Sequence, residues 1–247
     1  MIWLSLVVML PLAAVVLKAT GDGWSGFWNA LTTPAVRSSL QLTVAVALVV
    51  TAINAVLGTL VAWVLVRDDF PGKRILEVAI DLPFALPTIV AGLVLLALYG
   101  PKSPFGVNVA NSRSAIALAL LFVTLPFVVR AVQPVLEDLD REVEEAAASL
   151  GAGRATTFRR VILPRLLPAI GAGAALSFDR AISEYGSVVL ISGNLPNKTE
   201  VASVRILTYV ENDSLPAAAA MATVLLLVAL VVIVGLDVLQ RWAARRA

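Results

Sequence analysis

Six long apolar segments limit this chain to a helical, membrane-spanning fold. They cover residues 2–17, 40–66, 75–99, 115–136, 166–191 and 217–239. A helix needs about 20 apolar residues to cross a bilayer, and every segment except the first exceeds that length. Because the hydrocarbon offers backbone amides no water, spanning segments satisfy them within a helix. The sequence therefore predicts one all-α domain over residues 1–247, a polytopic membrane protein with six transmembrane helices.

The composition excludes several classes of function. Apolar residues make up 59% of the chain and charged residues 15%, against about 45–50% and about 25% in soluble domains. Histidine and cysteine do not occur, which excludes disulfides, thiol nucleophiles and Cys/His metal sites. The carboxylates are scattered, so we expect no catalytic residues, no metal site and no enzyme activity. We interpret the net charge of +2 as orientation charge rather than as a nucleic-acid interface.

Lysine and arginine are distributed unevenly between the loops on the two sides of the predicted spans. The side with the 67–74 loop, the 137–165 loop and the C-terminal tail carries eleven of them, and the other side carries six. Cytoplasmic loops are enriched in these residues. We therefore expect a multi-pass protein of the cell's inner, cytoplasmic membrane, with both termini and the 137–165 loop in the cytoplasm.

The 137–165 loop has a helical pattern of its own. Apolar residues recur in it at helical spacing, at Leu139, Val143, Ala146, Ala147 and Leu150. Gly151 stands where a left-handed residue would end this helix. A second short helix is predicted to start near Thr156 or Thr157 and to end before Pro164. From the pattern alone the loop either packs on its own bundle or presents a surface to another protein.

The same loop resembles the EAA loop of ABC-importer permeases. It reads Glu145-Ala146-Ala147, then Gly151 after three residues, then Val161-Ile162-Leu163-Pro164 after nine more. The spacing agrees throughout, and the one departure is Val161 in place of isoleucine. In that family this loop docks into the ATPase subunit. The resemblance therefore implies an ATPase-coupling surface, formed by Glu145, Ala146, Ala147, Leu150, Gly151 and Pro164.

Further segments are similar to the T-type subunit of the sulfate/thiosulfate ABC-importer permeases. They are residues 62–67, 81–88, 125–130, 133–136, 184–189 and 193–200. The resemblance implies a type I ABC-importer permease fold of the molybdate/sulfate type. It also implies one permease subunit of an ATP-driven sulfate/thiosulfate importer, which forms the translocation pathway.

That family's architecture also implies the partners and the cofactors. The partners are a dimer of ABC ATPases, a second permease of the W type in a heterodimer, an external sulfate-binding protein and the lipid membrane. ATP and magnesium belong to the partner ATPase, and no cofactor is expected on this chain.

Ionisable residues within the predicted spans are costly and are therefore candidates for function. Arg180 and Glu184 in span five stand four residues apart, so they would pair on one face of a continuous helix. Glu77 and Asp81 in span three are predicted to reach interfacial water, or else Lys73 or Arg74. Prolines 83 and 87 are predicted to interrupt span three, and prolines 126 and 134 to interrupt span four. Such breaks often line a substrate path, and the candidate path residues are Thr88, Arg180, Ser183, Glu184 and Ser187.

Two alternatives remain at this stage. A molybdate or tungstate permease that works as a homodimer shares the EAA loop and a Gly-Asn-x-Pro-x-Lys-Thr segment. It more often has Glu-Phe-Gly where this chain has Glu184-Tyr185-Gly186. An ion-coupled secondary transporter would use Asp179 or Glu184 at mid-membrane, but it gives the EAA loop no role.

Overall fold

The structure, a computed structural model, describes Trp3 and residues 5–244, and these residues form helices joined by turns, without β-strands. Four helices in this part of the chain are long and apolar enough to cross a membrane: Pro34–Arg67, Arg113–Glu137, Arg154–Ile182 and Leu215–Val238. Two bent pairs of helices bring the number of candidate spans up to six. The predicted all-α, polytopic class is confirmed. Residues 2 and 4 of the first predicted span, and Arg245 and Arg246 of the basic tail, lie outside the described residues.

We number the described α-helices in chain order. They are α1 (Leu10–Ala19), α2 (Gly23–Thr32), α3 (Pro34–Arg67), α4 (Lys73–Ala85), α5 (Thr88–Tyr99), α6 (Arg113–Glu137), α7 (Arg141–Ser149), α8 (Arg154–Thr157), α9 (Leu163–Ile182), α10 (Gly186–Ile191), α11 (Ala202–Glu211) and α12 (Leu215–Ala244). Two π-helical segments, Ser5–Met9 and Phe158–Ile162, precede α1 and α9.

The prolines of spans three and four have different effects. Leu86, which precedes Pro87, is extended at φ −88° and ψ 135°, and it separates α4 from α5. This is the conformation that a following proline favours. Pro83, however, lies within α4, and Pro126 and Pro134 lie within α6, which is continuous. The predicted interruption of span four is therefore wrong. A proline removes one backbone hydrogen bond, and membrane helices tolerate that loss where neighbouring helices support them.

Span five is broken where the sequence predicted a continuous helix. Helix α9 ends at Ile182, and α10 begins at Gly186. The residues between them are Ser183, Glu184 and Tyr185. Two further helices, α2 and α11, lie in segments that the sequence analysis assigned to outer loops. The pair α1 and α2 is bent by 88°, at the turn between Ala19 and Gly23.

The chain divides into two compact units. The first comprises the described residues of Met1–Ala47, Thr88–Ala119 and Ile182–Leu230. One of its clusters of buried apolar side chains consists of Leu31, Val36, Ala202 and Met221. Its helices α5 and α10 pack closely, because a Cβ at Gly92 would lie 2.8 Å from the Cα of Ser187.

The second unit comprises Leu48–Pro87, Leu120–Ala181 and the described residues of Val231–Ala247. Its core is centred on Val128 of α6, where α3 and α9 both approach through a glycine. A Cβ at Gly58 would lie 2.7 Å from the Cβ of Val128, and one at Gly173 would lie 2.8 Å from its Cα. The same three helices share a buried polar contact, because Thr124 accepts hydrogen bonds from Asn54 (2.8 Å) and Ser177 (3.0 Å). These contacts fix the helices that flank and support the 137–165 loop.

Candidate functional site

The start of helix α7 is attached to the end of α3 through Arg67. The Arg67 guanidinium pairs with Glu144 at 2.6 Å and reaches the carbonyl oxygen of Leu139 at 3.4 Å. It also lies 5.7 Å from the centre of the Trp63 ring, a cation–π contact. Phe158 packs edge-on against Trp63, with 5.7 Å between ring centroids. The two ends of the loop are therefore attached to the last two turns of α3.

Helix α7 ends as the sequence predicts. Gly151 has φ +81°, the left-handed conformation that glycine adopts without strain. The amide of Gly151 donates to the carbonyl of Ala148 at 2.9 Å, and that of Ala152 donates to Ala147 at 3.0 Å. These two bonds form a Schellman motif, which satisfies carbonyls that the helix end leaves unpaired. Asp140 occupies the N-cap position without a capping hydrogen bond from its side chain.

The predicted apolar stripe of this loop is split between the protein interior and the surface. Leu139 is buried at 6% exposure, and Val143 is half-buried. Ala146 is exposed, and Leu150 is 89% exposed. Of the other coupling candidates, Glu145 and Gly151 are exposed and Ala147 is half-buried. The first turn thus packs on the protein, while the last turn presents a free surface of small and apolar groups.

The second half of the loop corrects the sequence prediction. The helix starts at Arg154 and does not end before Pro164, because Phe158–Ile162 is π-helical and leads directly into α9. Pro164 lies inside the same helical stretch, directly after the π-helical turn, and its missing amide proton removes one hydrogen bond from the helix. The chain from Arg154 to Ile182 is consequently one span-length helical stretch. Any displacement of the loop acts directly on span five.

The break in span five is organised around a buried carboxylate. Glu184 is 2% exposed, and its Oε1 accepts hydrogen bonds from the amide and the hydroxyl of Ser187, each at 2.9 Å. The Ser203 hydroxyl donates to the carbonyl oxygen of Glu184 at 2.8 Å. A Cβ at Gly186 would meet the Thr88 hydroxyl and the amide nitrogen of Ile89. The first unit therefore brings Thr88, Glu184 and Ser187 together, with Ser203 as a member that the sequence analysis did not identify.

The remaining path candidates lie beside this cluster in the chain. Arg180 is half-buried in the last turn of α9, Asp179 is exposed, and Ser183 is exposed in the break. Because α9 ends at Ile182, Arg180 and Glu184 do not stand on one continuous helix. The prediction of one continuous helix at this point is wrong, and the pairing of the two side chains stays a prediction.

An ion pair connects α4 and α6. The Arg130 guanidinium donates two hydrogen bonds to the Asp81 carboxylate, one from Nε at 2.8 Å and one from Nη2 at 2.5 Å. Asp81 therefore pairs with Arg130 and not with Lys73 or Arg74 as predicted, and Lys73 reaches Asp69 at 3.4 Å instead. Access of Asp81 to interfacial water stays a prediction. The signal that the sequence analysis did not use was Arg130 itself, a cation within a predicted span.

A buried ion pair also lies after α10. Glu200 is 5% exposed, and its Oε2 lies 2.6 Å from Arg205. Burial raises the pKa of Glu200 above its ordinary value, and the neighbouring Arg205 partly opposes that rise. The Arg205 guanidinium lies 5.9 Å from the centre of the Tyr209 ring. This pair fixes the start of α11 and lies outside the candidate site residues.

Comparison with known proteins agrees with this architecture. The family described as "Binding-protein-dependent transport system inner membrane component" matches residues 54–247. The sulfate transport system permease protein CysT of Synechocystis sp. is 48% identical, over 100% of this chain and 88% of its own length. The protein of the same name from Escherichia coli is 42% identical, over 100% of this chain and 91% of its own length.

Solved structures show the same fold at low sequence identity. A bacterial ABC transporter involved in alginate import has a TM-score of 0.80 at 14% identity, over 97% of this chain and 91% of that one. The methionine ABC transporter MetNI has a TM-score of 0.64 at 17% identity, over 83% of this chain and 94% of that one. The described helices therefore have the fold of an ABC-importer permease.

Proposed function

The chain belongs to the family of binding-protein-dependent transport system inner membrane components, and we propose that it is the membrane permease subunit of an ATP-driven sulfate importer. The observation that carries this function is the full-length similarity to curated sulfate permeases. The chain is a multi-pass membrane protein and not an enzyme. ATP and magnesium are assigned to a separate ATPase subunit.

We assign the coupling role to the exposed last turns of α7. Leu150 is 89% exposed, and an apolar side chain in water gains free energy when a partner covers it. The neighbouring alanines are small, so a groove of the ATPase can approach the helix backbone closely. Glu145 adds one negative charge at the surface. The surface fits a partner that supplies an apolar pocket beside a positive group.

The attachment of the loop explains how force would pass from the ATPase to the membrane. The Arg67–Glu144 pair holds one end of the loop to α3, and the Trp63–Phe158 contact holds the other end. The helical stretch from Arg154 to Ile182 continues into span five. A movement of α7 therefore tilts two spans together rather than bending the loop alone. Closure of the ATPase dimer on ATP would open the pathway outward, and hydrolysis would return it inward.

The proposed function also implies partner subunits. We propose an ATPase dimer, an external sulfate-binding protein and a second permease of the W type, which makes the membrane part a heterodimer. The translocation path is assigned to Thr88, Arg180, Ser183, Glu184 and Ser187. Both termini and the 137–165 loop are placed in the cytoplasm on the distribution of Lys and Arg.

Transport of radiolabelled sulfate tests the function directly. Cells that lack this chain should lose sulfate uptake and regain it when the gene is returned. Unlabelled thiosulfate should compete, and molybdate should compete weakly. Uptake of molybdate without uptake of sulfate would instead assign the chain to the molybdate permeases. A gradient-driven uptake that persists without the ATPase would contradict the importer class.

Single cysteines test the orientation, because the chain has no native cysteine. A membrane-impermeant thiol reagent applied to intact cells should label a cysteine at Asn197 and should not label one at Ala155. Both positions are exposed in the structure, so accessibility to the reagent depends on the side of the membrane. The reverse labelling would overturn the topology and the ATPase-docking assignment with it.

A further inference from the structure

The Asp81–Arg130 pair lies inside two of the predicted spans rather than at their ends. Arg130 precedes the end of α6 by seven residues, and Asp81 follows the start of α4 by eight. At about 1.5 Å per residue, both lie about 10–12 Å along their helices from those ends. Half of the hydrocarbon core is about 15 Å thick. Both residues therefore lie about two turns inside the predicted spans three and four, away from the polar ends of their helices.

The pair is also open on one side. The Asp81 side chain is 46% exposed and that of Arg130 is 33% exposed. Charged groups at this depth do not face lipid, because the cost of exposing them to hydrocarbon is several kcal/mol. The open side consequently faces a water-filled cavity or the second permease subunit, and both are features of a transport pathway.

The geometry of the contact is that of oxyanion recognition. A guanidinium presents parallel N–H groups that match two oxygens of one carboxylate or of one tetrahedral oxyanion. In Arg130 these are the N–H groups of Nε and Nη2, which we call the fork, and both carboxylate oxygens of Asp81 accept hydrogen bonds from them. Nη1 of Arg130 donates to the Gln133 side chain at 2.6 Å, and Gln133 donates to Glu137 at 2.9 Å. Gln133 holds the guanidinium in place whether or not Asp81 is bound to it.

We propose that the fork of Arg130 is a transfer site for sulfate and that Asp81 is the exchangeable counter-ion that occupies it between ions. This inference rests on the proposed sulfate transport and adds the residues that would handle the anion. A lone arginine at this depth would retain a dianion too tightly for turnover. Asp81 competes for the same two N–H groups, so it keeps the affinity low, and it returns to the fork when the anion leaves.

Equilibrium binding to the assembled importer tests the proposal. The complex of permeases and ATPases is purified in nanodiscs without the external binding protein, and radiolabelled sulfate is titrated. Asp81→Asn should bind sulfate at least tenfold more tightly than the wild type and should transport it more slowly. Asp69→Asn is the matched control, because it removes the carboxylate of the exposed Lys73 pair in the loop that precedes α4. This variant should bind sulfate as the wild type does.

Variants of Arg130 separate anion handling from structural pairing. Arg130→Gln should abolish binding and lower uptake at least tenfold, and Arg130→Lys should retain only part of the binding. If Arg130→Gln lowers abundance, the Asp81→Asn, Arg130→Gln double variant removes both charges and should again show no binding. The exchange Asp81→Arg with Arg130→Asp should restore abundance but neither binding nor uptake.

Three results would overturn the proposal. They are wild-type affinity in Asp81→Asn, sulfate binding or normal uptake in Arg130→Gln, and full uptake in the exchanged pair, which would make the pair structural only. A wild-type importer that takes up no sulfate would contradict the proposed function instead. The two failures are therefore distinguishable.

Discussion

The 137–165 loop and the break in span five both interrupt runs of apolar helix, but different interactions stabilise their conformations. In the loop, the turn at Gly151 is closed by backbone bonds to Ala147 and Ala148, and its last turn lies exposed. In the break, the 2% exposed carboxylate of Glu184 caps α10, and Ser203 fixes its carbonyl oxygen from far along the chain. The loop is therefore determined locally, and the break is determined by tertiary burial.

From this difference we predict that substitutions in the two regions affect sulfate uptake and membrane abundance differently. Changes at the exposed end of the loop should lower transport without lowering the amount of protein in the membrane. Changes in the break should lower both together, because the fold depends on the buried groups. The ratio of sulfate uptake to membrane abundance is the quantity that distinguishes the two regions.

The largest effect is expected for Glu184→Ala. The change leaves the amide and hydroxyl of Ser187 buried without an acceptor, a cost of about 1–3 kcal/mol for each unsatisfied group. Membrane abundance should fall severalfold, and uptake should fall at least as far, because Glu184 is also assigned to the translocation path. Glu184→Gln keeps one acceptor oxygen and should recover part of the abundance. Glu211→Ala, at an exposed glutamate that ends α11, is the matched control and should leave abundance unchanged.

Gly151→Asp should abolish uptake and leave abundance near the wild-type level. The aspartate must adopt φ +81°, which strains an L-residue by about 1 kcal/mol or more, and it places a charge beside the docking surface. Gly153→Asp is the control, because Gly153 has φ −71° at the N-cap of α8 and open space around its Cβ. Equal losses of uptake in both variants would show that charge, and not backbone conformation, is responsible.

The sequence predicted local features well and missed those that depend on distant contacts. The helical segments and the left-handed Gly151 follow from periodicity and glycine geometry. The continuous α6 does not, because Pro126 is tolerated only through packing. The role of Arg67 was missed because its partner Glu144 is 77 residues away in sequence. The three residues of the break, Ser183–Tyr185, include no proline or glycine, so the sequence contains no helix-breaking signal within it.

Arg180→Ala separates two roles that sequence reasoning left open. If Arg180 lines the anion path, the variant should keep its abundance and lose at least tenfold in sulfate uptake. If it is structural, abundance should fall, and the exchange Arg180→Glu with Glu184→Arg should restore part of it. Normal uptake would remove Arg180 from the mechanism.

Loosening the attachment of the loop should have an intermediate effect. Arg67→Ala removes the pair with Glu144 and the contact with Trp63, at a cost of about 1–3 kcal/mol for a hydrogen bond to a charged group. Uptake should fall severalfold, with faster hydrogen exchange in α7 and little change in abundance. In a double-mutant cycle, Arg67→Ala and Glu144→Ala should be non-additive by about 0.5–3 kcal/mol. Strict additivity would show that the 2.6 Å contact does not hold the loop.

Leu150→Ser is expected to have the smallest effect on the fold. It should also separate sulfate uptake from membrane abundance most clearly. Leu150 is 89% exposed, so its loss should change the stability of the isolated permease by less than about 0.5 kcal/mol. Leu139→Ser is the control on the same stripe, where the leucine is 6% exposed, and it should destabilise the protein. If the ATPase buries Leu150, the serine variant should bind it about tenfold more weakly, since a buried leucine contributes about 1.5–3 kcal/mol. Unchanged affinity in a titration of the purified ATPase would place the docking contact elsewhere on α7.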